Sequence, residues 1–443
     1  MRLSSTTILG TGVVLALLGG PAFAKGPVDE AAVLAAYADI AAAAYGDSLA
    51  TARDLDAAID SFLSEPSAEG LAAAKAAWLA ARVPYQQTEA FRFGNPVVDG
   101  WEGRVNSWPL DEGLIDYVAA EGSAPTEGTD ENPAAAINVI ANASFPLSGQ
   151  TIDAAEITPA FLSGTLHEAG GAEANVATGY HAIEFLLWGQ DIGAYDAAAG
   201  QRPWTDYATR QEPDETAEGG MRWAVSDACT GGSCDRRSAY LAAASDLLVS
   251  DLEEMAAAWR DGGEARQSIV GDPNGIGRIL TGLGSLSYGE LAGERMQLGL
   301  LLNDPEEEHS CFSDNTHNDH FHDALGIRNV LTGRYVGVDG TVTEGPSLAE
   351  LIAARDADVA AALTDAVDAT MAEMSALKAA AEAGMPYDMM LDPANEAGGA
   401  LVQAAIDGLV NQTREIERAV ALLGTEAVIE GSESLDDPGA VFE

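Results

Sequence analysis

The sequence predicts an all-α protein built as two helical bundles, and three observations carry that prediction. Alanine, leucine and acidic residues recur at helical spacing through most of the chain. Strand-like alternation of β-branched residues is scarce. A Gly-, Pro-, Asp- and Glu-rich stretch over 192–235 separates an earlier set of helical segments from a later one, in a chain whose 443 residues exceed what one hydrophobic core usually serves.

Taken in order, Arg2, the apolar run ILGTGVVLALLGG and the small residues AFA at 22–24 follow the pattern of a secretory signal peptide over 1–24. Cleavage after Ala24 leaves Lys25 first, and the absence of a cysteine there argues against a lipid anchor. The leader is short and Gly-rich for a membrane span, and no later stretch approaches about 18 consecutive apolar residues. The mature chain is therefore expected to be periplasmic or secreted, without a transmembrane segment. An N-terminal bundle over 25–225 begins with helices at 28–63 and 67–93, the second bent or interrupted by Pro84. A loop-rich connection at 94–152 with a short helix near DEGLIDYV follows, then helices at 153–168 and 172–188, the latter ending at Gly189. A C-terminal bundle over 236–430 comprises helices at 236–261, 276–302, 347–383 and 395–423. The acidic tail at 431–443 is expected to fray.

The formal charge of −48 and a pI near 4.1 make nucleic acid and anionic membranes poor partners and draw cations in. Solubility in a saline medium explains most of that charge. Cys229 and Cys234, in CTGGSC, suit a local disulfide in an oxidising compartment, though a bridge from Cys311 to either is also open.

Three groupings could carry chemistry. In GYHAIEFLLWGQD (179–191), His181 and Glu184 stand three apart in an otherwise apolar helix, close enough to touch or to share a ligand. Burial without partners would cost several kcal/mol, so a mutual hydrogen bond, a polar network or a metal must satisfy them. Imidazole with carboxylate suits iron, zinc or copper. Trp78, Arg82, Tyr85, Glu89 and Arg92 line one helical stripe, readable as a solvated face or as a source of one carboxylate ligand with groups that orient it. Finally, EEEHSCFSDNTHNDHFHD (306–323) gathers His309, His317, His320 and His322 with Cys311, Asp314 and Asp319. SDNTHND reads as a loop, and His317, His320 and His322 form a secondary metal candidate. Glu290 and Glu294 beside Arg295 read as ion pairs between the halves.

These residues resemble the imelysin family. Its G-x-H-x-x-E signature is matched by Gly179, His181 and Glu184, and ARVPYQQTEAFRFG, NSWPLDEGLIDYV, GELAGERM and EHSCFSDNTH look like family blocks in the family's order. The resemblance implies a two-bundle envelope protein linked to iron acquisition, with some members classed as metallopeptidases. Through a more distant similarity to a periplasmic ferrous-iron uptake component, it implies Glu89 and Asp111 as further ligands, with Arg82, Tyr85, Arg92 and Gly179 in support. A peptidase needs an activated water and a base, yet Ala182 and Phe185 stand where an H-E-x-x-H motif has its glutamate and second histidine. The expectation is therefore an exported metal-binding protein serving iron uptake. It would hold iron, or zinc or copper, as the ion or a small chelate and meet envelope iron-transport components. A zinc-dependent metallopeptidase is the alternative, and a metal-free scaffold a third.

Overall fold

The computed structural model describes residues 28–119, 127–129, 132–193, 195–196, 198–208, 229–442 and the backbone of 211–214 and 222–225. The expected leader and its cleavage point near Ala24 lie outside them. Helix α1 (Glu30–Ser64) opens where Asp29 accepts a hydrogen bond from the Ala31 N–H at 3.3 Å. Helix α2 (Ala68–Gln86) is capped by Ser67, whose hydroxyl accepts from the Gly70 N–H at 3.1 Å. It stops two residues after Pro84, which lacks the N–H needed to continue the ladder, and residues 87–93 turn away through a short 3₁₀ segment, Glu89–Phe91. The expected single helix over 67–93 is thus shorter, and this turn places Glu89 off the α2 stripe.

Helix α3 (Pro96–Asn106) precedes the short helix Glu112–Ile115. A hairpin, β1 (Ser144–Leu147) with β2 (Gln150–Asp153), ends the stretch expected as a loop-rich connection, and the expected helix at 153–168 shrinks to one turn at Pro159–Phe161 and a π turn at 162–166. Pro159 suits the first turn of a helix and not its interior, so the helix starts there and not at 153. Helix α4 spans only Gly179–Trp188 and is buried along its whole length. A second hairpin pairs β3 (Gln211–Asp214) with β4 (Arg222–Val225), and Cys229 is disulfide-bonded to Cys234, leaving Cys311 a free thiol.

Helix α5 (Cys234–Ala258) packs on α1 and α4, and α1 also packs on α2. Tyr240, Leu241, Leu248, Leu252 and Met255 of α5 belong to the buried cluster that runs from Val33 to Ala419. Helix α6 (Gly275–Ser285) passes into a π-helical run, Leu286–Gln297, whose i→i+5 repeat stacks Glu290 beside Arg295 at 2.8 Å. Helix α7 (Thr316–Thr332) carries His317, His320 and His322, so the segment expected as a loop is helical from Thr316 onward.

A third hairpin, β5 (Arg334–Val336) with β6 (Val342–Glu344), leads to a capping box in which Ser347 and Glu350 bond reciprocally. The expected helix at 347–383 is split there into Leu348–Ala353 and α8 (Ala357–Glu382), because Asp356 supplies a second N-cap. Helix α9 (Glu396–Leu423) closes the second group by packing on α8 and on the π run. The tail is not frayed. Glu430 N–H donates to Ser285 Oγ at 3.0 Å, and Ser432 and Ser434 are buried against the π run, with Ser434 bonded to the Gly293 carbonyl. Contact between α2 and α7 joins the two groups of helices.

Candidate metal centre

The centre lies where α2, α4 and the entry to α7 meet. Gly179 begins α4 with φ +79°, and any Cβ there would collide with the Val105 carbonyl. That close approach seats the helix against α3. Trp78 Nε1 donates to the Tyr180 carbonyl at 2.9 Å, tying α4 to α2. The next residue is His181, whose Nδ1 lies 3.0 Å from Glu184 Oε2. Glu184 Oε1 accepts from both the backbone N–H and the hydroxyl of Ser313, at 3.0 and 2.7 Å. Burial pushes the Glu184 carboxyl up to about 8, and the Ser313 bonds offset some of that.

Facing His181 is His309, with ring centroids 4.7 Å apart and the rings nearly perpendicular at 81°. His309 Nδ1 lies 2.8 Å from Asp319 Oδ2. Asp319 also accepts from Ser310 Oγ, Asn315 Nδ2 and Arg82 Nη2 at 2.5, 3.1 and 3.0 Å. Burial alone would raise the Asp319 carboxyl, but Arg82 and the His309 bond hold it well below the usual carboxylate range. Burial, with the Arg295 charge behind it, drops the His309 imidazole to about 3, and burial and His309 depress His181 likewise. Both rings are therefore neutral. An ionised Asp319 takes the Nδ1 proton of His309 as a hydrogen bond and leaves the lone pair on Nε2. The same tautomer follows for His181 when Glu184 is ionised.

Both Nε2 atoms are buried without a hydrogen-bond partner, and both rings line a cavity of about 30 Å³. That space has room for a water or for an ion with a water. Glu112, Glu306 and Cys311 also line it. Burial and the Glu306 charge raise Glu112 to about 8, and burial with the Glu306 and Glu184 charges raises the Cys311 thiol, so a cation there would displace protons to recruit either. Among the described residues no three His, Cys, Asp or Glu side chains already converge as a finished cage.

Of the sequence-derived candidates, His181 and Glu184 are brought together, while Glu89 and Asp111 stand elsewhere. Glu89 is bound by Arg295 at 3.0 Å, in a buried network with Asp323 and Glu290. Asp111 turns to the Asn132 amide, and its neighbour Glu112 lines the cavity instead. Arg82 orients Asp319, and Tyr85 packs beside Tyr180 with centroids 4.8 Å apart. Arg92 serves Asp99, Glu102 and Glu290 at the periphery. His317, His320 and His322 do not gather: His320 packs edge-on to Tyr387, His322 to Phe321, and His317 meets Asn318. Within the histidine-rich stretch the residue facing His181 is His309, at its start. Its pairing with Asp319 ten residues on needs the Ser310–Asn315 turn, which no helical or strand period predicts.

The family model described as imelysin matches residues 41–416. The chain belongs to the imelysin family. Iron-regulated protein A of Synechococcus elongatus is 33% identical over 97 residues, which are 22% of this chain and 25% of that relative, so the match spans a quarter of the relative's length. Two solved structures share the fold at 17% identity. An iron-regulated protein A precursor from Parabacteroides distasonis has a TM-score of 0.58 and covers 91% of this chain and 98% of its own. An imelysin-like protein from Psychrobacter arcticum has a TM-score of 0.55 and covers 91% and 100%. Among the described residues no helix of this imelysin-family chain is long and apolar enough to cross a membrane.

Proposed function

We propose that this imelysin-family chain is an exported metal-binding protein of iron uptake, holding a transition-metal ion between Nε2 of His181 and Nε2 of His309. One observation carries the reading: two neutral imidazoles, each within hydrogen-bond distance of a carboxyl group through Nδ1, present unpartnered Nε2 atoms to one buried cavity. Carboxylate-anchored histidine is the usual support for a metal ligand. Glu112, Glu306 and Cys311 line the same cavity as further donors, with water completing the shell. Imidazole with mixed oxygen and sulfur suits iron, zinc and copper, and the name of the Synechococcus relative favours iron. The acidic surface concentrates cations and disfavours anionic chelates. A peptidase is less well supported: Glu112 has a carboxyl poised near neutrality for a base, but a cavity of about 30 Å³ has no room for a peptide.

The test is metal stoichiometry after stripping and reloading with ferrous iron or zinc under anaerobic reducing conditions. Wild type should hold one ion that His181→Ala and His309→Ala each lose, while Asp111→Asn retains it. Undiminished loading in both histidine variants rejects the site.

A further inference from the structure

We propose that the Cys229–Cys234 disulfide is an exchange site for a dithiol reductant and not a structural staple. It joins residues five apart, and closing so short a loop removes little chain entropy. The loop is also fixed without it. Gly232 N–H donates to the Cys229 carbonyl at 3.1 Å, and Thr230 N–H to Asp206 Oδ1 at 2.9 Å. Arg237 holds the Thr230 and Asp206 carbonyls at 3.1 and 3.0 Å. Cys234 belongs to α5, a helix of 25 residues that packs on α1 and α4. Opening the bridge therefore leaves both cysteines in place.

The surroundings favour the open form at both sulfurs. Arg237 Nη1 lies 3.5 Å from Cys229 Sγ, placed to pair with a thiolate, and the Asp206 carbonyl stands 3.5 Å from the same sulfur, placed to accept from a thiol. Arg237 also grips Asp116 through Nε and Nη2 at 2.5 and 2.9 Å. Arg202 shares that acid at 2.6 Å and reaches Asp206 at 3.5 Å, so the two carboxylates do not claim Arg237 alone. Cys234 is the first residue of α5, and its N-cap, Ser233, makes no hydrogen bond from its side chain to the helix end. The open N–H groups and the dipole at that end stabilise a thiolate. Asp235 follows, but it is exposed and its charge is screened.

Cys229 and Cys234 keep 7% and 8% of their surface in solvent. Thr230, Gly231 and Gly232 between them are exposed, with nothing within 4 Å of where either glycine would carry a side chain, so a partner can approach from that side. The partner's thiolate attacks Cys234 Sγ and forms a mixed disulfide, while the S–S bond breaks with its electron pair on Cys229, which leaves as a thiolate beside Arg237. The partner's second thiolate then attacks the partner's own bridged sulfur and releases Cys234. This chain gains two electrons and, as its thiolates protonate, two protons. The partner ends as a disulfide.

The experiment equilibrates the full chain with buffers of reduced and oxidised glutathione, in chelator near neutral pH, then alkylates it and reads the mass of the peptide that carries both cysteines. The bridge should open within the range of such buffers, where structural disulfides stay closed. Ser233→Asp fills the cap and sets a negative charge beside Cys234, so it should need a buffer about threefold more reducing. Arg237→Gln removes the cation at Cys229 and should need about tenfold more. Ser233 is only half-buried, so its variant keeps the test decisive should Arg237→Gln fail to fold. The Cys229→Ser/Cys234→Ser double variant should melt within a few degrees of wild type, because noncovalent bonds hold the loop. The proposal is overturned if the bridge stays closed in every buffer, if Ser233→Asp opens as readily as wild type, or if the double variant loses its cooperative transition.

Discussion

Gly179 stands where two costs coincide, a left-handed backbone and a carbonyl at its Cα hydrogen. Gly179→Ala should therefore lose about 2–4 kcal/mol, combining backbone strain with overpacking. Urea unfolding reads it, and an unchanged midpoint would remove this explanation for the motif's glycine. Asp319 has a different role, because it touches His309 and not the cavity. Asp319→Asn removes the charge that fixes the imidazole tautomer, so metal affinity should fall about 10–100-fold. A Kd within twofold of wild type would show that Asp319 does not set the ring. At this scale the sequence showed half of the centre. His181 and Glu184 were visible because a polar pair on an apolar helix demands a partner. His309 was one of four histidines in one stretch, and only the chain reversal before α7 singles it out. Glu112 was hidden beside Asp111, since the short helix that follows decides which of the two acids turns inward.

At the scale of elements, the tail acts as a strap laid over glycines. Gly284 packs against Ile429, Gly289 against the Glu430 carbonyl and Gly293 against Ser432, leaving no space for side chains beneath it. Ser285 Oγ, the Gly293 carbonyl and the Glu294 carboxylate accept its hydrogen bonds, from Glu430, Ser434 and Ser432. Deleting 427–443 should uncover that trough and cost about 2 kcal/mol or more from Ile429 burial and lost bonds, lowering Tm. A truncated chain that melts with the full chain would mean the strap contributes nothing. Long helices were legible because 3.6-residue periodicity and caps such as Ser67, Asp356 and Asn395 are local signals. The hairpins, the late start of α4 and the docked tail were not, since each is settled by contacts with distant segments. Composition made the tail look solvated, whereas two serines facing a glycine trough hold it down.

The formal charge of −48 counts every acid as ionised, the buried ones included, so the stability of the molecule as a whole must depend on where the inner protons go. Glu102 on α3 is the clearest case outside the proposed metal site. It is buried with Oε1 unpartnered, near Arg92 but also near Glu89 and Glu290. Burial lifts its carboxyl to about 7, with Arg92 pulling the other way. The folded state thus keeps the proton over a range where the unfolded chain, near the ordinary glutamate value of about 4.3, has lost it. Its contribution is fully present below that value and is lost as pH rises through about 7. The slope for one such group is on the order of 1 kcal/mol per pH unit. Glu102→Gln keeps the neutral form at every pH. Urea unfolding of both chains in chelator at intervals from pH 5 to 7.5 should show the variant gaining on wild type as pH rises, by a few kcal/mol in total. Above pH 7.5 the gap should level off, because both states of wild type are then ionised. A difference that stays flat across this range would show Glu102 ionised in the folded state, making Arg92 and Glu102 a permanently charged pair.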